Sequence, residues 1–187
     1  MRFVCNKDNL ESAISIVQKA VKTNSTLPIL DGIHIQAEGQ SVKLTGYDLE
    51  TGIEADVASD VSDNGAVVVI SRIFGEIIKN LPENTVEIKS DDRNFVSIVS
   101  GSASYNIKGN NANEYPKIPI IENSSKVILS QAILKKMITK TIFAVSKDDT
   151  RQSLTGCCLE SDGSTITMVA IDGFRMALRS ISYRLLS

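Results

Sequence analysis

Tryptophan is absent from the 187 residues, histidine occurs once, proline four times, and aromatic side chains make up only 5%. With His34 as the sole imidazole, most histidine-based catalytic and metal arrangements are excluded at the outset. Three cysteines (Cys5, Cys157, Cys158) cannot all pair within the chain and have no C-x-x-C spacing. Reduced thiols in a cytoplasmic protein, without a zinc site, are therefore expected. The longest apolar run, Ala66 to Ile70, is far short of the ~20 residues of a membrane span. The opening MRFVCNKDNLE turns polar at once, so no secretory signal is expected. No glycine-rich phosphate loop or metal-ligand cluster is present, and no cofactor is expected. Without a convergent acid, base or metal group, an enzyme is the least expected class. What remains is an ordinary globular composition, 42% apolar and 22% charged, in a length suited to one or two domains.

Three stretches carry helical periodicity. Asn6 is placed to cap a helix through about Lys22, with Leu10, Ala13, Ile14, Val17 and Val21 as its apolar stripe. Ser71 is placed to cap a second through Leu81, ended by Pro82, and Ser130 a third through about Lys147. Residues 32–37, 41–47, 51–57, 84–89, 94–99 and 103–108 alternate like strands, with turn formers between them. Residues 109–124 hold turn formers and two prolines and read as a linker.

A shift of 124 positions aligns the start of the chain with its end without a gap. Asn6 falls on Ser130, Leu10 on Leu134, Ile14 on Ile138, Gly32 on Gly156, Gly39 on Gly163 and Asp48 on Asp172. Apolar matches are cheap, but two glycines, an aspartate and a helix cap in one register indicate duplication. A weaker repeat starts again near residue 65. The chain is read as three strand-helix-three-strand units at about 1–60, 65–108 and 125–187. The first two make one domain, 1–124, and the third is the first half of another, 125–187. Its apolar stripe (Leu134, Met137, Ile138, Val145) has then no partner within the chain, so a homodimer through residues 125–187 is expected.

Charge is divided unevenly. The helical stretches 7–22, 71–81 and 130–147 hold nine of the twenty basic and three of the twenty-two acidic residues, a balance of +6, and the rest sums to −8. Arg72 and Lys79 are seven apart and Lys136 and Lys140 four apart, so each pair shares a helical face. Lysines there can be plain solvated surface. Repeated on three helices, the bias also suits contact with phosphates without reading bases. No aromatics interleave, which argues against a single-strand stacking platform.

Together, MRFVCNKDNLESAISIVQKAV, TLPIL (26–30), LTGYDLE (44–50), EYPKIP (114–119) and AIDGFRMA (170–177) resemble the bacterial sliding-clamp family, the beta subunit of DNA polymerase III. The resemblance spans essentially the whole chain in order. It implies an α+β DNA-clamp fold, with antiparallel sheets outside and helices on one inner face. It also implies a non-enzymatic processivity factor of replication that contacts duplex DNA. The partners implied are the polymerase, other clamp-binding proteins and the clamp loader. By the resemblance, Lys19, Lys22, Arg72, Lys79, Lys136, Lys140 and Arg151 face DNA, while Asn24 departs from a commonly basic position. One wall of a partner-peptide cleft is Leu154, Ile171, Gly173, Phe174, Arg175 and Met176, with Phe174 in place of a common histidine. The rival reading is a truncated clamp remnant that binds proteins without encircling DNA.

Residue by residue, plainer roles also apply. Asp48 and Asp172 share a repeat position and are expected to hold turns. His34 alternates between Ile33 and Ile35 and is expected on an exposed polar face. Cys157 is expected in the core and Cys158 outward. Phe174 is either core or, in its glycine-flanked turn, a surface contact.

Overall fold

The strand β1 (Arg2–Asn6) runs directly into helix α1 (Lys7–Val17), and the Asn6 side chain accepts a hydrogen bond from the Asn9 amide at 3.2 Å. That satisfies one of the free amides of the first turn. Leu10, Ala13, Ile14 and Val17 are the buried face of α1. The helix tightens into a 3-10 turn at Gln18–Ala20 rather than continuing to residue 22. The computed structural model describes residues 1–21, 27–119 and 128–182, so Lys22 and Asn24 lie outside the described residues. The chain forms two units, 1–120 and 121–187.

In the first unit, β2 (Gly32–Glu38), β3 (Ser41–Tyr47) and β4 (Gly52–Asp63) follow α1. Then come β5 (Gly65–Ile70), α2 (Ser71–Lys79), β6 (Thr85–Ser90), β7 (Phe95–Ser100) and β8 (Ala103–Lys108). The strands form one antiparallel sheet in the order β5-β2-β3-β4-β1-β6-β7-β8. A bridge from Val68 in β5 to Asn110 nearly closes it. The two repeat units exchange strands reciprocally. β5 pairs with β2, aligning Val67 with Ile35, and β1 pairs with β6, aligning Phe3 with Ile88. All four of those side chains are fully buried. Strand β4 ends six residues later than expected because it changes partner. Residues 52–58 pair with β3 and residues 59–63 with β1.

Helices α1 and α2 lie together on the apolar face of this sheet, burying Phe74 and Ile78 beside Leu10 and Ile14 in one core. Ser71 is the first residue of α2, not its cap. It is buried, and its carbonyl accepts from the Gln18 amide at 3.0 Å. Gly75 admits this close approach, because a Cβ there would stand 2.6 Å from Gln18 Nε2 and 3.4 Å from Ile14 Cγ2.

Residues 109–119 are packed rather than a free linker. The amide and carbonyl of Asn110 bond Val68, and Tyr115 is buried against Leu30, Tyr47 and Val68. Its hydroxyl stands 3.4 Å from the carbonyl oxygens of Gly32 and Thr45, and burial pushes its pKa up to about 12. His34 is consequently half-buried beneath the Tyr115 ring, at 5.4 Å between centroids, and not on an open polar face. Burial lowers its pKa from the ordinary 6.5, with Glu54 opposing.

The second unit holds α3 (Gln131–Thr141) on a three-stranded sheet of β9 (Cys158–Ser161), β10 (Thr165–Ile171) and β11 (Met176–Ser182), in the order β11-β10-β9. Ser130 caps α3, its hydroxyl accepting from the Ile133 amide at 3.3 Å. The helix ends six residues earlier than its periodicity suggests. Thr141 turns its hydroxyl back onto the Met137 carbonyl, and a 3-10 turn follows at Ile142–Ala144. Met137, Ile166 and Met168 make one small core and Ala144, Ala170 and Ala177 another, with Cys157 against both and Cys158 exposed. The strand expected before α3 falls largely on residues outside those described, and residues 128–130 are not in a strand.

Candidate nucleic-acid interface

The buried stripe of each helix fixes which residues it turns outward. Aligning α1, α2 and α3 by the repeat, at 100° per residue, puts Lys19, Arg72, Lys79, Lys136 and Lys140 within an arc of roughly 100°. That arc lies outside the buried stripe of each helix. All five side chains are exposed. Arg72 alone among them forms an ion pair among the described residues, with Glu76 one turn on at 3.4 Å. At 73% and 65% side-chain exposure that pair is weak and exchangeable. Across the sheet of the first unit the charge reverses: Glu54, Asp56 and Asp60 stand exposed along β4. The net charge of −2 therefore hides a basic helical layer over a sheet whose other side carries acids.

Arg151 stands apart from the helices. It is exposed in the 3-10 segment Asp149–Leu154, where its own backbone breaks the helical path at φ −115°, ψ 65°. Its guanidinium reaches the β10–β11 turn, 3.6 Å from where a Cβ on Gly173 would lie. The structure thus brings Arg151 to the residues assigned to the partner cleft.

That turn is tightly built. Asp172 Oδ1 accepts from the amides of Phe174 and Arg175 at 2.9 and 3.0 Å, and its Oδ2 accepts from Arg175 Nε at 2.8 Å. These bonds hold the carboxyl below its ordinary pKa, the backbone amides contributing most. Gly173 sits at φ +94°, where a side chain would be strained. Asp48 repeats the arrangement in the first unit, accepting from Glu50 and Thr51, with Leu49 at φ +76° in the glycine's place. The turn-holding role expected of both aspartates is what the structure shows. Phe174 is presented at the tip, 101% exposed, with Ile171 (40%) and Met176 (64%) paired at its base. Leu154 is half-buried, and its carbonyl accepts from the Ser146 amide at 2.8 Å.

One surface feature was not legible in advance. A cleft of about 760 Å³ lies over the outer side of β2–β4, bounded by His34, Lys43, Glu54, Tyr115 and Lys117. The tyrosine of EYPKIP, buried by strands distant in sequence, was the only hint. Among the described residues no group of three His, Cys, Asp or Glu side chains could hold a metal. No described helix is long and apolar enough to cross a membrane.

Repeated units with helices layered on antiparallel sheets, basic on their outward side, define an α+β fold of the DNA-clamp class. Residues 1–119 match the family model for the DNA polymerase III beta subunit, N-terminal domain, and residues 128–186 that for its central domain. The chain belongs to this family, the beta sliding clamps. It is 37% identical to the beta sliding clamp of Halalkalibacterium halodurans over 189 residues, covering 97% of this chain and 50% of that protein. The Bacillus subtilis DNA polymerase sliding clamp superposes with a TM-score of 0.93 at 36% identity, over 97% of this chain and 50% of its own. The Pseudomonas aeruginosa DNA polymerase III subunit beta gives a TM-score of 0.93 at 29% identity, over all of this chain and 51% of its own. The chain spans about half the length of the curated relatives it matches.

Proposed function

We propose that this chain works in bacterial DNA replication as a non-catalytic sliding-clamp component in the cytoplasm, contacting duplex DNA without regard to sequence and tethering DNA polymerase III. The observation that carries this reading is that Lys19, Arg72, Lys79, Lys136 and Lys140 are exposed at similar helical positions in each of the three repeat units. Ammonium and guanidinium groups on exposed helices meet phosphates and release counterions, which gives affinity but no base discrimination. By the family resemblance, Lys22 and Arg151 would add further phosphate contacts. Titrating two duplexes of unrelated sequence at several salt concentrations tests it. Equal affinities that fall steeply with salt are expected.

A second reading, a protein-docking module, is favoured by one observation of its own. Phe174 is fully exposed on a turn held by three hydrogen bonds to Asp172, which is how a rigid aromatic anchor is presented. With Leu154, Ile171, Gly173, Arg175 and Met176 it would form one wall of a cleft for peptides of the polymerase, the clamp loader and other clamp-binding proteins. The two readings separate on DNA: a docking module binds such peptides and shows no salt-dependent DNA affinity.

A further inference from the structure

The outer side of the first unit's sheet is laid out in rows that the strand register fixes. His34 faces Thr45, which faces Glu54; in the next row Ala66 faces Gln36, which faces Lys43. Their neighbours along the strands, Ile33, Ile35 and Leu44, point the other way into the core. Residues 110–118 cross the strands as a strap, from Val68 of β5 at Asn110 to Gly52 of β4 at Ile118. Tyr115 pins the strap, buried against Leu30, Tyr47 and Val68 with its ring over His34. Between strap and rows lies the cleft of about 760 Å³, and every residue lining it belongs to the first unit.

The lining combines apolar walls with a few polar groups, the make-up of a small-molecule site. Ala66, Ala112, Pro116, Ile118 and Pro119 supply the apolar part, and half-buried His34 offers a flat ring. Two ammonium groups enter, Lys43 from the floor and Lys117 from the strap. Lys43 pairs with Glu54 at 3.4 Å, but both side chains are near half exposure, so the pair exchanges readily. Lys117 has no ion pair among the described residues. Burial keeps His34 neutral, so the cleft holds two positive charges and one negative, a balance of +1. Around it the same side of the sheet is acidic, with Asp56 and Asp60 exposed on β4.

We propose that this cleft binds a small organic acid, its single carboxylate met by Lys43 and Lys117 and its flat apolar body lying over His34 along the proline wall. A phosphate monoester suits the cleft less, because its charge of about −2 would stand against Glu54. The inference is independent of DNA binding and of the wall around Phe174.

His34 is the sole histidine, so its ring protons report on the cleft by NMR in the intact chain. The probes are benzoate, hippurate and indole-3-acetate, each set against its neutral amide. At least one acid should shift the His34 signals saturably with a Kd of about 1 mM or tighter, and its amide should bind at least about tenfold more weakly. The bound carboxylate should also raise the His34 pKa, because a negative charge added among Lys43, Lys117, Glu54 and Tyr115 favours the imidazolium. Replacing Lys43 and Lys117 together with glutamine should weaken binding about tenfold, whereas Glu54→Gln should tighten it by removing the repelling carboxylate and freeing Lys43. Opposite effects of the two charge changes cannot come from a loss of structure. No saturable shift with any of the three acids, equal binding of acid and amide, or a Glu54→Gln variant that binds more weakly while still melting like the parent overturns the proposal.

Discussion

Phe74 and Phe174 are a matched pair of perturbations, one at 0% exposure and the other at 101%. Phe74 is in the core where α2 packs on the sheet beside Leu10, Ile14 and Ile78. Truncating it to alanine removes a ring from a packed interior and leaves a cavity, at a cost of about 3–5 kcal/mol. The first unit has 120 residues. At about 2 cal/mol/K per residue, each kcal/mol moves its Tm by about 4 °C, so Phe74→Ala should lower that Tm by about 12–20 °C. Phe174→Ala removes as many atoms from a side chain that loses no solvent on folding, and should stay within about 0.5 kcal/mol of the parent. Denaturant melts of both variants, followed by circular dichroism, decide the matter. A Phe174→Ala loss above about 1 kcal/mol would show that the ring is packed and refute its role as a presented anchor. A Phe74→Ala loss below about 1 kcal/mol would refute the placement of α2 in the core.

Three further outcomes are expected. A thiol reagent should label Cys158 in the native protein and Cys5 only on unfolding, because Cys5 is 6% exposed and burial pushes its pKa up to about 11. His34 disfavours its charged form when folded, so the stability it confers is complete above the ordinary pKa of 6.5 and lost as pH falls through the lower folded value. Thermal melts from pH 7.5 to 5 should therefore drop less for His34→Phe than for the parent. A labelled clamp-binding peptide should bind at high-micromolar affinity at best, since one wall does not enclose an anchor. Sub-micromolar binding abolished by Phe174→Ala would contradict that.

Much of the fold was legible because the sequence repeats itself. A shared register of Asn6 with Ser130, Gly39 with Gly163 and Asp48 with Asp172 marks caps and turns, and both glycines do stand at positive φ. Helix ends were less legible, because tertiary bonds set them. Gln18 reaching Ser71 and Thr141 bonding back to Met137 are not periodic signals. The far half of β4 escaped detection since Ala58, Ser59 and Ser62 interrupt its apolar alternation, and its pairing with β1 is set by distant residues. The strand-like alternation around His34 was read correctly, but the ring that covers it comes from residue 115. Of the candidate interface, the helix spacing gave the basic arc. The approach of Arg151 to Gly173 depends on a kinked turn that no pattern announces.

The central claim is that an outward basic arc binds duplex DNA through phosphates alone, and its salt slope measures that directly. If all five arc residues meet phosphate, the logarithm of affinity should fall by about 4.5 per tenfold rise in salt. Replacing Lys136 and Lys140 with glutamine should flatten that slope by about 1.8, equally for two duplexes of unrelated sequence. A slope unchanged in the double variant, or a preference of a hundredfold or more for one duplex, would contradict the account.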